Sequence, residues 1–144
     1  DLIAPPVGRG WEYLTGSHWD WDAELALAKL QAMPVTLACD AILDQQVFAG
    51  AGNIFKNEVL FRIRVHPLSP LGALPADKLR ELVSEVRQYA FDFLAWKRAF
   101  VLKQHWQAHR QSRCPRCAIP LSKAKLGRTQ RQSYYCEQCQ IRYG

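Results

Sequence analysis

Four of the five cysteines fall into two identically spaced pairs, Cys114-Pro-Arg-Cys117 and Cys136-Glu-Gln-Cys139, with 18 residues between them. A C-x-x-C knuckle brings two thiolates from one tight turn onto one ion, and a second knuckle completes a tetrahedral four-cysteine set. The spacing predicts one structural Zn2+ held by Cys114, Cys117, Cys136 and Cys139. Such a closed site leaves no position for a reactive water. A pair of redox C-x-x-C motifs would need a strand–helix context that neither pair has. A zinc deaminase would need H-x-E ahead of P-C-x-x-C, and no H-x-E occurs. His109 is a possible substitute ligand that four cysteines make unnecessary. The fifth cysteine, Cys39, lies in an apolar helical pattern, and an odd count argues against a secreted disulfide framework.

Charge is distributed unevenly around this motif. Residues 1–75 carry five basic and eight acidic groups, a net −3, whereas residues 76–144 carry fourteen basic and five acidic groups, a net +9. From Lys97 to Gly144 there are eleven basic groups and one acid, Glu137. A cationic C-terminal half is the footprint of a phosphate-rich partner, or else a solubilising surface. No apolar run approaches the roughly 18 residues of a membrane span, and no secretory signal opens the chain. The chain starts at Asp1 and its one Met is Met33, so it is expected to be a piece of a longer protein.

Along the chain, residues 1–21 read as an interdomain linker broken by Pro5-Pro6, Gly8, Gly10 and Gly16. Asp22 suits an N-cap for a helix from Ala23 to Ala32, which Pro34 stops. Thr36 suits the next cap, with a helix to about Phe48. After the Ala49–Asn53 break, a further helix runs from Ile54 to about Arg62 and ends before Val65-His66-Pro67. Pro75 and Asp77 open a long helix whose Leu79, Leu82, Val83, Val86, Ala90, Phe93 and Leu94 form a core stripe, extending towards Phe100. Tyr134-Tyr135 favours a strand. The fold class expected is mostly α, a helical domain over 22–110 followed by a small zinc-finger β-hairpin over 111–144.

The segment from Asp44 to Phe61 carries the most chemistry. Gly50 and Gly52 can take φ > 0 and admit a close backbone approach. Asn53 starts a helix, where free N–H groups and the dipole favour an anion, and its amide can donate to a phosphate oxygen. Lys56, one turn in, can add a point charge. From the residues alone this is a phosphate site or an ordinary helix–turn–helix with a Gly and Asn cap.

Gly50-Ala51-Gly52-Asn53-Ile54, then the acid Glu58, the apolar pair Val59-Leu60 and His66-Pro67, resembles the helix–two-turn–helix of the formamidopyrimidine-DNA glycosylase and endonuclease VIII family. Those bacterial base-excision-repair enzymes also end in a four-cysteine zinc finger of matching order and spacing. They carry an Arg five residues before the third cysteine, which Arg131 matches. A small-subunit ribosomal protein and a type II topoisomerase share the glycine turn but not the finger. The resemblance covers roughly residues 20–144. It implies that Asn53 binds the phosphates flanking a lesion, with Gly52 beside it, that Arg131 reaches the same phosphates from the finger, and that Lys56 is a secondary contact.

The same resemblance implies a parent enzyme with DNA glycosylase and abasic-site lyase activity towards oxidised bases. Its partner would be double-stranded damaged DNA, bound as a monomer in the bacterial cytoplasm at the nucleoid. The family's N-terminal proline amine and adjacent Glu are not among these residues, and Pro5 and Pro6 are internal imides. No catalytic residue is therefore assigned, and the isolated chain is expected to bind DNA without cutting it. The segment from Lys97 to Arg113 is short beside the base-capping loop of guanine-lesion members, which leaves the lesion class open. The rival reading is a non-enzymatic zinc-ribbon module that binds RNA or the ribosome.

Overall fold

The computed structural model describes residues 22–144, so the expected linker over 1–21 lies outside the described residues. Asp22 caps the first helix as its sequence position predicts, its Oδ1 accepting from the Leu25 amide at 3.0 Å. Helix α1 (Ala23–Gln31) buries Ala26, Leu27 and Leu30.

Helix α2 corrects the expectation of a helix from a Thr36 cap to Phe48. It covers only Ala38–Leu43, and Leu37 stands at its N-cap without a side-chain bond. Asp44 ends it with an extended backbone. The Asp44 carboxylate accepts from the Gln46 amide at 2.9 Å, and its carbonyl accepts from Val47 and Phe48. This local side-chain-to-backbone turn competes with the helical pattern. Gln45 then ties the loop together, its Oε1 accepting from Gly50 N–H at 2.8 Å and its Nε2 donating to the Ala51 carbonyl at 2.8 Å. Val47 and Phe48 are buried from this loop rather than from a helix.

Helix α3 (Asn53–Arg62) follows directly. After a 3-10 turn at Leu71–Ala73 comes α4 (Ala76–Arg98), opened by Pro75. The expected stripe is buried except for Leu94, which is half-buried, and it gains Tyr89. Within the core, α3 meets α4 through aromatic rings: the Phe55 ring lies 5.0 Å from Tyr89 and 5.1 Å from Phe93. Helix α4 stops at Arg98 and does not reach Phe100, which takes φ 60° and leaves its ring exposed.

A second 3-10 turn, Leu102–His105, leads to the hairpin of β1 (Ser122–Leu126) and β2 (Arg131–Tyr135). The strands pair antiparallel from Ser122 opposite Tyr135 to Leu126 opposite Arg131. The C-terminal tail returns to the helices, where Ile141 N–H donates to the Arg64 carbonyl at 2.7 Å and His66 N–H to the Ile141 carbonyl at 2.9 Å. The architecture is therefore a helical body with one small zinc-finger-type hairpin docked on α3.

Candidate nucleic-acid interface and metal centre

The loop into α3 is shaped by its two glycines in different ways. Gly50 sits at φ 92°, where only glycine is unstrained. Gly52 does not have the positive φ expected of it; it is extended, at φ −114° and ψ −161°. A Cβ built on Gly52 would meet nothing within 4 Å. Neither its backbone angles nor its neighbours in this chain require a glycine there. The space it leaves lies at the start of α3, whose first backbone donor to find an intrahelical acceptor is Lys56, bonded to Gly52 O at 3.0 Å. The amides of the preceding turn point out of the helix, no side chain caps them, and the turn has no acid. This is a helix N-terminus open to an anion.

Asn53, Lys56 and Asn57 recur at i, i+3 and i+4 and share a face of α3. All three donate to one carbonyl, Gln132 O in β2, at 3.0, 3.1 and 3.3 Å. Lys56 Nζ also donates to Ser133 Oγ at 2.7 Å. Asn57 Oδ1 accepts from the Tyr134 amide at 3.3 Å, so its carboxamide pairs with the free edge of β2 much as another strand would. The expected point charge of Lys56 is turned inward: the residue is 1 % exposed. Burial pushes its amine down to about 8, and the Arg131 guanidinium acts in the same direction. Arg131, the first residue of β2, is exposed and directly precedes Gln132, whose carbonyl accepts from Asn53. Asn53 Oδ1 is buried and has no partner among the described residues.

Glu58, one turn further along α3, is 1 % exposed. Its carboxylate accepts from the amides of Gln107, Ala108 and His109 at 2.8–3.1 Å. It fixes the segment that enters the first knuckle. His109 Nδ1 meets Asn57 Nδ2 at 2.9 Å. Because Asn57 Oδ1 is already turned to Tyr134, the nitrogen of Asn57 must be the donor and His109 Nδ1 the acceptor. Burial pushes the His109 imidazole down to about 4, helped by Arg110 and Lys56.

The four knuckle cysteines converge as their spacing predicts. The Sγ atoms of Cys114, Cys117, Cys136 and Cys139 lie within 4.8 Å of one another. Cys114 and Cys139 are 3.8 Å apart, close to the sulfur–sulfur separation of about 3.8 Å that a tetrahedral thiolate site with 2.3 Å bonds requires. The donor set and spacing fit a metal, and His109 is not among them. Arg116 backs the cluster. Its Nε and Nη2 lie 3.3 and 3.2 Å from Cys139 Sγ, and Nη2 donates to Phe61 O at 2.5 Å. Its guanidinium lies 3.7 Å over the Phe61 ring, which joins the knuckle to the end of α3.

Residues 20–91 match the formamidopyrimidine-DNA glycosylase H2TH domain model, half of the chain. The chain belongs to the formamidopyrimidine-DNA glycosylase H2TH family. It is 40 % identical over 106 residues to "Endonuclease 8-like 2" of Bos taurus, covering 72 % of this chain and 32 % of that protein. It is 34 % identical over 130 residues to "Probable endonuclease 8 2" of Streptomyces coelicolor, covering 84 % and 46 %. The chain thus spans less than half the length of either relative. In fold it is similar to the Lactococcus lactis formamidopyrimidine-DNA glycosylase bound non-covalently to DNA containing an abasic site, with a TM-score of 0.78 at 22 % identity over 88 % of this chain and 48 % of that one. Among the described residues, no helix is long and apolar enough to cross a membrane.

Proposed function

We propose that this H2TH chain is the DNA-gripping part of a base-excision-repair glycosylase, holding double-stranded damaged DNA through its phosphates. The observation that carries this reading is the open N-terminus of α3 under Gly52, with exposed Arg131 next in the chain to Gln132, whose carbonyl Asn53 holds. An anion seated there would receive helix N–H groups and a guanidinium, the strong charge-assisted donors of phosphate recognition. Asn53 contributes the amide hydrogen that Gln132 O does not use. Lys56 acts from behind: it pins β2 and gives the site positive potential without reaching the phosphate. The hairpin is held by one structural Zn2+ on Cys114, Cys117, Cys136 and Cys139. The net +10 from Lys97 onward supplies sequence-independent attraction. Base removal is the work of the parent enzyme, and the chain itself binds as a monomer without cutting.

Fluorescence anisotropy with an abasic duplex, an undamaged duplex and an RNA of equal length tests this from 50 to 200 mM salt. The duplexes should bind more tightly than RNA, with a log–log salt slope of about −0.9 for each phosphate neutralised. Asn53→Ala and Arg131→Ala should each weaken binding and leave the circular dichroism unchanged. Tighter RNA binding, or duplex affinity indifferent to both substitutions, would overturn the assignment.

A further inference from the structure

The turn between β1 and β2 is fastened to the helical body by one side chain, Asp40 in the first turn of α2. Its Oδ2 accepts from the Arg128 amide at 2.9 Å, and its Oδ1 accepts from the Thr129 amide at 3.2 Å and the Thr129 hydroxyl at 3.1 Å. Gly127, at φ 75°, lies so close that a Cβ there would sit 2.6 and 2.9 Å from the Asp40 carboxylate oxygens and 2.7 Å from Cys39 Sγ. The turn is therefore pressed against α2 with no room for a side chain at Gly127.

Arg131 stands between two anchors. Residues 128 and 129 are held by Asp40, and Gln132 is held by Asn53, Lys56 and Asn57. A two-stranded hairpin is marginal by itself, so external anchors decide where its residues point. The second anchor alone would leave the turn free to pivot about Gln132. With the first in place, the backbone on both sides of Arg131 is tied to the elements that flank the α3 N-terminus.

We propose that Asp40 is a positioning residue: by gripping the hairpin turn it pre-sets Arg131 for a DNA phosphate, so that no ordering of the turn is needed on binding. This rests on the reading that Arg131 and the start of α3 grip DNA. It makes an unusual demand on sign. A carboxylate near a phosphate-binding face opposes DNA by its charge, so removing that charge alone should tighten binding. Loss of the positioning should weaken it.

The test compares the 144-residue chain with Asp40→Ala, Asp40→Asn, Arg131→Ala and the double variant Asp40→Ala/Arg131→Ala, by anisotropy on an abasic duplex from 50 to 200 mM salt. Asp40→Ala should weaken binding about tenfold, the scale of one charge-assisted hydrogen bond. It should also flatten the salt slope by about 0.9, as loss of the Arg131 contact does. Asp40→Asn keeps the volume and one acceptor, and should fall between wild type and Asp40→Ala, which covers the case of an alanine variant that folds poorly. The double variant should bind no more weakly than Arg131→Ala. Unchanged or tighter binding by both Asp40 variants, or full additivity in the double variant, overturns the role of Asp40 alone, provided that Arg131→Ala weakens binding. If Arg131→Ala has no effect, the assignment of Arg131 fails and the role of Asp40 with it.

Discussion

Replacing Gly52 by alanine separates folding from binding at the same atom. The backbone at φ −114° and ψ −161° is open to any residue, and a Cβ there meets nothing within 4 Å. Alanine removes freedom from the unfolded chain, which favours the fold by about 0.4–1 kcal/mol. It is a poorer N-cap than glycine, which costs a similar amount, about 0.5–1 kcal/mol. The two offset, so stability should stay within about 0.5 kcal/mol of wild type, a shift in Tm of no more than about 2 °C for a chain of this size. The effect on an anion at the helix start is one-sided. A methyl group in the approach path holds a phosphate oxygen back by about 1 Å, beyond the roughly 3.5 Å at which an N–H bond is lost. Each such bond to a charged acceptor is worth about 1.5–3 kcal/mol, so DNA affinity should fall by about ten- to a hundredfold. Thermal melts followed by far-ultraviolet circular dichroism and anisotropy titrations on the same preparation measure both numbers. Wild-type affinity in Gly52→Ala would mean that the phosphate does not use this edge. A Tm loss well beyond about 2 °C would mean that the space is not open, contrary to the geometry.

Two further outcomes follow from the packing around the hairpin. Burial pushes the His109 imidazole down from 6.5 to about 4, and the positive charges of Arg110 and Lys56 act in the same direction. The unfolded chain therefore takes up the proton first: this contribution is constant above about pH 6.5, and stability falls by about 2–3 kcal/mol as the pH drops from there towards about 4. Urea unfolding at about pH 7.5 and about pH 4.5 should show that drop reduced in His109→Gln, and an identical pH dependence in the two proteins would refute it. Arg116→Ala removes two donors from Cys139 Sγ and the bond to Phe61 O, so a Zn2+ ion loaded onto the four cysteines should transfer to a chromophoric chelator faster, by about ten- to a hundredfold as for other lost outer-shell partners. Transfer at the wild-type rate would show that the guanidinium does not hold the thiolate.

Most of the secondary structure was legible because its signals are local. Asp22, Pro75 and the period-3.6 stripe of α4 lie within the helices they define, and each C-x-x-C pair closes within one turn. Apolar spacing over-extends helix α2 because it cannot weigh the Asp44 turn against another helical turn. It passes over Tyr89 because a hydroxyl marks a side chain as half-polar; here the ring is wholly buried between Phe55 and Trp96.

What the polar face of α3 meets was not legible in the sequence, because its partners lie far along the chain. Asn53, Lys56 and Asn57 form a polar face at i, i+3 and i+4, and in isolation such a face reads as one that meets solvent or a phosphate. What covers it is an edge strand about 75 residues further on, whose free carbonyl needs donors as much as a phosphate would. One lysine ammonium and two carboxamides satisfy that carbonyl, and the edge of β2 is protected without a third strand. Lys56, Asn57 and one amide hydrogen of Asn53 are thus spent on the hairpin. If the chain grips DNA as proposed, an anion would meet the backbone amides under Gly52 and the second amide hydrogen of Asn53, with Arg131 on the strand that the polar face holds.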